Sequence, residues 1–108
     1  MSIFPIDFRV KLTYHNEEAT NLKLTEEIEK NFGKIERLFS ETALERFCAC
    51  EYGELDRYHF SLGCWIRNNL LNKGELPRLF TADGICHRDD RSMLMIRLFD
   101  LYIHEKYR

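Results

Sequence analysis

From Phe8 to His15 apolar and polar residues alternate, with Phe8, Val10, Leu12 and Tyr14 set against Arg9, Lys11, Thr13 and His15. Successive side chains of a strand point to opposite faces, so this period of two predicts a half-buried β-strand. A strand needs a partner for its backbone donors and acceptors. The internal candidate is residues 19–24, reached through the polar turn at residues 15–18. Such a hairpin is marginal alone and is expected to lie on helices, its free edge open to another chain's strand. Residues 2–6, broken by Pro5, read as a packing arm.

Beyond Leu24 the apolar spacing changes to three and four, the period of helices. A first helix is predicted from Thr25, as N-cap, to Phe39, with Ile28, Phe32, Ile35, Leu38 and Phe39 on one stripe. Glu26, Glu27 and Glu29 would then fall in its first turn and complement the helix dipole. Gly33 in mid-helix costs roughly 1 kcal/mol against alanine, which implies a close neighbouring element. Ser40 is the expected cap of a second helix, ended by Gly53, with Leu44, Phe47 and Cys48 facing inward. A third helix is predicted over residues 54–71, with Leu55, His59, Leu62, Ile66 and Leu70 on its buried stripe. Residues 75–84 read as a short helical turn broken by Pro77 and closed by Gly84. The last helix, from about Asp89 to the C-terminus, is apolar almost all round except for a line of Arg97, Asp100 and His104. A helix of that kind is the central one. The fold class expected is a small, mainly α, α+β domain: residues 1–24 as arm and β-hairpin, residues 25–108 as a bundle of four to five helices around a central apolar C-terminal helix.

A chain of 108 residues with 44% hydrophobic and 31% charged residues is a single globular domain with one core. The net charge of −2 supplies no global attraction to nucleic acid or to an anionic membrane, and no run of lysine and arginine creates one locally. The N-terminus lacks the apolar core and small-residue cleavage site of a signal peptide, and no apolar run approaches the roughly 20 residues of a membrane span. A cytoplasmic location is expected. Cys48, Cys50, Cys64 and Cys86 match neither a zinc-knuckle spacing nor a secreted disulfide framework. Three cysteines with His87 could bind zinc only if the fold gathered them, and the preferred reading is four reduced, small apolar residues with no metal and no cofactor.

Two polar clusters carry the candidate chemistry. On the third helix His59 sits on the apolar stripe, Trp65 projects from the flank with Tyr58 and Leu62, and Gly63 leaves room for a close approach. Arg67 and Asn68 lie on another face, while Asn69 and Asn72 suit a helix end whose carbonyls need donors. The second cluster, residues 87–92, opens the last helix, with Asp89 and Asp90 in its first turn. As a clamp, Arg67 would pair with Asp89 or Asp90 and fix the third helix on the last, His59 would donate to a backbone carbonyl, and Asn68 would cap a loop. As a catalytic site, His59 and His87 would be general acid and base, Asp89 or Asp90 would orient one of them, and Arg67 and Asn68 would hold an anion.

The stretch LDRYHFSLGCWIRNNLL and the later GICHRDDRSMLMIRLFDLY resemble a family of small uncharacterised bacterial and phage-encoded proteins. Its recurrent pattern joins a His-Phe-x-Leu-Gly-x-Trp-Ile-Arg-Asn-Asn block to a His-Pro-Asp-Asp-x-Ser block. Here His59, Phe60, Leu62, Gly63, Trp65, Ile66, Arg67, Asn68 and Asn69 match the first, and His87, Asp89, Asp90 and Ser92 the second. Arg88 replaces the proline that pre-sets a first helical turn, which loosens that helix start. The resemblance covers the C-terminal half, leaves out residues 1–50 and the cysteines, and implies that the two polar clusters belong together.

The function expected is a protein-interaction module, such as a regulator, inhibitor or immunity-type protein acting on a host or phage protein. Tyr14, Tyr52, Tyr58 and Trp65 would anchor the partner where exposed, though Trp65 is expected in the core. A homodimer through the N-terminal strands or the last helix fits a domain of this size. The alternative is an enzyme binding a small ligand or nucleotide through His59, Arg67, His87 and Asp89. Nucleic-acid binding is not expected: the segment between the third and last helices is too long for a helix-turn-helix, and no helix gathers Arg, Lys, Asn and Gln on one exposed face.

Overall fold

A computed structural model of the chain describes residues 21–107. In chain order these form α1 (Asn21–Lys30), α2 (Phe32–Glu36), α3 (Glu41–Ala49), a 3-10 helix (Tyr52–Tyr58), α4 (Leu62–Asn69), α5 (Glu75–Ala82) and α6 (Arg88–Lys106). There is no strand among the described residues. The expected hairpin is thereby corrected where it can be checked: residues 21–24 open α1 instead of pairing as a strand. Leu24 and Ile28, four apart, are both buried, so the helical period binds this segment to the core. The alternating residues 8–15, the arm at residues 2–6 and Tyr14 lie outside the described residues.

Starting α1 at Asn21 moves Glu26, Glu27 and Glu29 out of its first turn and leaves Thr25 buried inside the helix rather than capping it. Glu27 pairs with Lys30 instead. The expected long first helix breaks at Asn31, whose side chain donates to the Glu27 carbonyl at 2.8 Å. That is the acceptor its own N–H would use in a continuous helix, and the N–H goes to the Ile28 carbonyl. Phe32 and Ile35 stay buried, but the helix ends at Glu36 and Leu38 is left 47% exposed, off the expected stripe. Gly33 is exposed and no neighbouring element crowds it.

Ser40 does cap α3, its hydroxyl accepting from the Ala43 N–H at 3.1 Å. Phe47 is fully buried with Leu44 and Cys48 packed beside it. Gly53 is not the stop: the chain turns extended at Cys50, and Glu51 and Glu54 form a reciprocal capping box that starts the 3-10 helix. The predicted third helix is therefore two elements. Leu55 and Tyr58, three apart, share a face of the 3-10 helix; residues 59–61 form a turn, and α4 follows. Leu62, Ile66 and Leu70 are buried as expected, whereas His59 is only half-buried, because the turn takes it off the stripe.

Pro77 does not break α5. It is the third residue of the helix, where a missing N–H removes no intrahelical bond. Gly84, at φ 80°, closes the helix: its N–H reaches the Thr81 carbonyl and that of Ile85 reaches Phe80, the paired bonds of a Schellman motif. Arg91 secures this end to α6 by donating to the Ile85 carbonyl at 2.7 Å and the Thr81 hydroxyl at 2.9 Å.

α6 is the central helix, as its composition predicts. It packs against α2, α3, the 3-10 helix and α4, while α1 packs on α5. Phe99 meets the rings of Phe32, Phe39, Phe47 and Tyr102, with centroids 5.4–6.0 Å apart. The polar line along α6 is not a solvent face, since Asp100 is buried and His104 reaches across to α3.

Candidate functional site

The two polar clusters meet where α4 crosses the start of α6. The Arg67 side chain, 15% exposed, folds back along α4 over Gly63, one turn earlier. Its Nη1 donates to the Ser92 hydroxyl at 3.0 Å and lies 3.8 Å from Asp89 Oδ1. Its Nη2 donates to the His59 carbonyl at 3.4 Å. Ser92 is fully buried and in turn donates to the Asp89 carbonyl at 3.1 Å. Gly63 explains how a guanidinium fits at such depth: a β-carbon there would stand 3.0 Å from Arg67 Nη1, 3.5 Å from the Tyr58 carbonyl and 3.7 Å from the Ser92 hydroxyl. The room that Gly63 provides is occupied by the chain's own arginine.

The carboxylate contact is a single ion pair at 3.8 Å, not the bidentate fork expected of Arg67 with Asp89 or Asp90. Ser92, in the first turns of α6, and the His59 carbonyl, in the turn before α4, take the guanidinium's donors instead. Asp90, next to Asp89, is exposed.

His87 is the N-cap of α6. Its Nδ1 accepts from the Asp89 N–H at 3.1 Å, which places the proton of the neutral ring on Nε2. Asp89 Oδ2 stands 3.9 Å from the same Nδ1, beyond hydrogen-bond length. A carboxylate orients a catalytic histidine by accepting from a ring N–H, and here Nδ1 is itself an acceptor. His87 and Asp89 therefore do not form that dyad in this arrangement. Arg88, standing where the family pattern has proline, is the first residue of α6 and follows the imidazole cap directly.

The His59 carbonyl belongs to the cluster, while its ring makes an edge contact with Phe60, centroids 4.9 Å apart. Trp65 is half-buried against the core, as expected. Asn69 donates to the Trp65 carbonyl at 2.9 Å, a helix-end role, and exposed Asn68 lies 3.5 Å from Cys64 Sγ rather than capping a loop. The structure thus gathers Arg67, Ser92, Asp89, His87 and the His59 backbone; Asp90, Asn68 and Asn69 stand outside that set. Among the described residues no group of three or more His, Cys, Asp and Glu is arranged to hold a metal ion, and the four cysteines are free thiols.

A second charged junction, part-buried, leaves little trace in the sequence. Glu36, at the end of α2, accepts from Tyr102 at 2.9 Å, from Lys106 at 2.9 and 3.1 Å, and from Tyr107 at 2.6 Å. Burial pushes the Glu36 carboxyl up, but the donors from Tyr107, Lys106 and Tyr102 outweigh it and hold the group below its ordinary range. Only the spacing of Tyr102 and Lys106 by one helical turn hints at this in the sequence.

A family model described as a domain of unknown function (DUF6794) matches residues 26–102. The chain belongs to this family. The match starts well before the motif-bearing half and takes in the second half of α1 together with all of α2 and α3, so the family unit is the helical bundle and not the Arg67 junction alone. No curated protein and no solved structure matches the chain. No helix among the described residues is long and apolar enough to cross a membrane.

Proposed function

We propose that this member of the family is a cytoplasmic protein-interaction module, a regulator, inhibitor or immunity-type protein in a bacterial or phage setting, and that Phe60 is the centre of its binding surface. The observation that carries this reading is the exposure of Phe60. Its side chain is 85% exposed on a turn whose neighbours are fixed: the His59 N–H bonds to Asp56, the His59 carbonyl receives Arg67, and the Ser61 carbonyl receives Trp65. An aromatic ring left in water on a braced backbone loses little conformational freedom when a partner covers it, which is what a binding hot spot requires. Cys64, also exposed, and half-buried Trp65 follow it on α4. The polar cluster supports the same reading. Arg67 donates to Ser92 and His59, and His87 Nδ1 serves the helix, so these groups act as scaffold under the turn.

The test is affinity capture of tagged protein from cells of its native host, wild type against Phe60→Ser, with thermal melts of both. The expected result is an unchanged melting temperature and a loss of at least about tenfold in the captured partner, about 1.4 kcal/mol. An identical set of captured proteins would move the binding surface away from Phe60. Turnover of a small substrate by the wild type, abolished in His87→Ala, would replace the interaction reading with catalysis.

A further inference from the structure

Near its C-terminal end α6 carries a histidine that neither the Arg67 junction nor the core explains. His104 Nδ1 lies 2.8 Å from the Asp100 carbonyl and 3.2 Å from Asp100 Oδ1, and its Nε2 lies 3.0 Å from the Cys48 carbonyl of α3. Carbonyl and carboxylate oxygens only accept, so both ring nitrogens are placed to donate, and only the imidazolium can do so at once. Either neutral tautomer turns a lone pair toward oxygen. The Cys48 carbonyl is one of the last four of α3, which lack an intrahelical donor. His104 therefore caps α3 from another helix and sets positive charge at the negative end of its dipole. Next to it Asp100 is buried, and its Oδ1 has no hydrogen bond, only the ionic contact with His104. The imidazolium thus satisfies a helix end and a buried carboxylate together.

We propose that His104 is a proton-operated latch between α6 and α3, closed while the ring is charged and loosened when it loses its proton. The groups that face it are Asp100 from its own helix and the Cys48 carbonyl from α3; the Cys48 thiol and Glu45 on α3 act on the same pocket through Asp100 and Cys48. The Asp100 carbonyl chiefly, then the Asp100 carboxylate and the Cys48 carbonyl, hold the proton more tightly than an ordinary histidine, against the opposing effect of burial. The side chain is 48% exposed, so it exchanges protons with solvent without unfolding. The latch therefore stays closed below pH 6.5, the ordinary value, and opens as pH rises through the raised value of the folded chain. The segment it releases leads through Cys50 and the Glu51–Glu54 capping box into the 3-10 helix.

The experiment follows the whole chain by NMR between about pH 5 and pH 9, the range that brackets histidine titration. It records the His104 ring signal together with hydrogen-exchange protection of the amides of Phe47 to Cys50, each divided by that of α4 amides to remove the common pH effect. The expected result is a His104 midpoint above 6.5 and a several-fold fall of the α3-to-α4 ratio across that midpoint, flattened in His104→Gln. A midpoint at or below the ordinary value, a flat ratio in the wild type, or a step that persists in His104→Gln would each overturn the latch. Should the variant fail to fold, the wild-type midpoint and ratio decide the matter by themselves.

Discussion

The two ends of α6 are docked by opposite charges. At its N-terminal end a part-buried cation, Arg67, comes in from α4; at its C-terminal end a part-buried anion, Glu36, comes in from α2. A cation near a helix N-terminus and an anion near a C-terminus both oppose the helix dipole. α6 carries dipole-matched side chains at its ends: Lys106 in the last turn bonds Glu36 directly, and Asp89 in the first adds an ionic contact to Arg67 at 3.8 Å. The charges that stabilise the helix ends are thereby reused as docking points. The chemistry then diverges. Arg67 is held mainly by neutral oxygens, the Ser92 hydroxyl and the His59 carbonyl, and Glu36 by two phenols and an ammonium. The first junction is therefore insensitive to the protonation of its acceptors, and the second depends on a carboxylate staying charged.

The largest expected effect comes from removing what the two ends share. Phe99 is fully buried between the rings of α2, α3 and α6, and Phe99→Ala should cost about 3–5 kcal/mol. Chemical denaturation would measure it, and hydrogen exchange should show both junctions loosened together. Survival of one junction intact would mean that the ends of α6 are not coupled through this core.

Next come the charges themselves. Arg67→Ala takes the donor away from the His59 carbonyl and from the buried Ser92 hydroxyl, which keeps only its own bond to Asp89, and should cost about 2–3 kcal/mol. Arg67→Lys should recover only part of it, because one ammonium cannot reproduce the fork that reaches both acceptors. Glu36→Gln keeps one acceptor oxygen but puts a donor where the other accepts; because Lys106 and Tyr107 are exposed and can turn to water, it should cost less, about 1–2 kcal/mol. Equal denaturation midpoints for Arg67→Ala and Glu36→Gln would erase the proposed asymmetry.

Acid sharpens it further. The Glu36 carboxyl titrates below its ordinary 4.5 in the folded chain, so its contribution is present above that value and is lost as pH falls through the lowered one. His104 acts in the opposite sense: its contribution is complete below 6.5 and is lost as pH rises through its raised value. Between those bounds both contribute in full. Exchange protection measured on the acid side should fall in α2 before α4; the reverse order would show that the Arg67 junction is the acid-sensitive one.

The smallest effects separate two glycines. At Gly33 a β-carbon meets only Arg37 Nη1 at 3.8 Å, so Gly33→Ala should stabilise by about 0.5–1 kcal/mol. At Gly63 the same gain in helix propensity is opposed by the 3.0 Å approach to Arg67 Nη1 and the fixed Tyr58 carbonyl behind it. Gly63→Ala should be destabilising on balance, and thermal melts of the pair should shift in opposite directions.

The Arg67 junction was legible because its parts lie in two short, unusual blocks, and the sign of Arg67 against Asp89 suggested the pairing. The geometry of that pairing was not legible, since a buried serine and a backbone carbonyl leave no signal in a pattern of charges. The Glu36 cluster and the His104 latch join residues 56 to 71 positions apart, and nothing local in either segment announces the other. The N-terminal misreading has a local cause. The alternation of residues 8–15 calls for a partner strand at residues 19–24, but Leu24 and Ile28 carry the helical spacing that places 21–24 in α1.

By itself the sequence determined what depends on near neighbours: the Ser40 cap, the stop at Gly84, and an α6 apolar enough to be central. It also implied, through its two unusual blocks, that the polar residues near Arg67 and those opening that helix belong together. Tertiary structure decided where helices break, because whether Asn31 bonds back to Glu27, or residues 59–61 leave the helix, depends on what the next element must bury. It also decided which charges are buried, since a charge enters the core only where distant segments bring it enough partners to replace water.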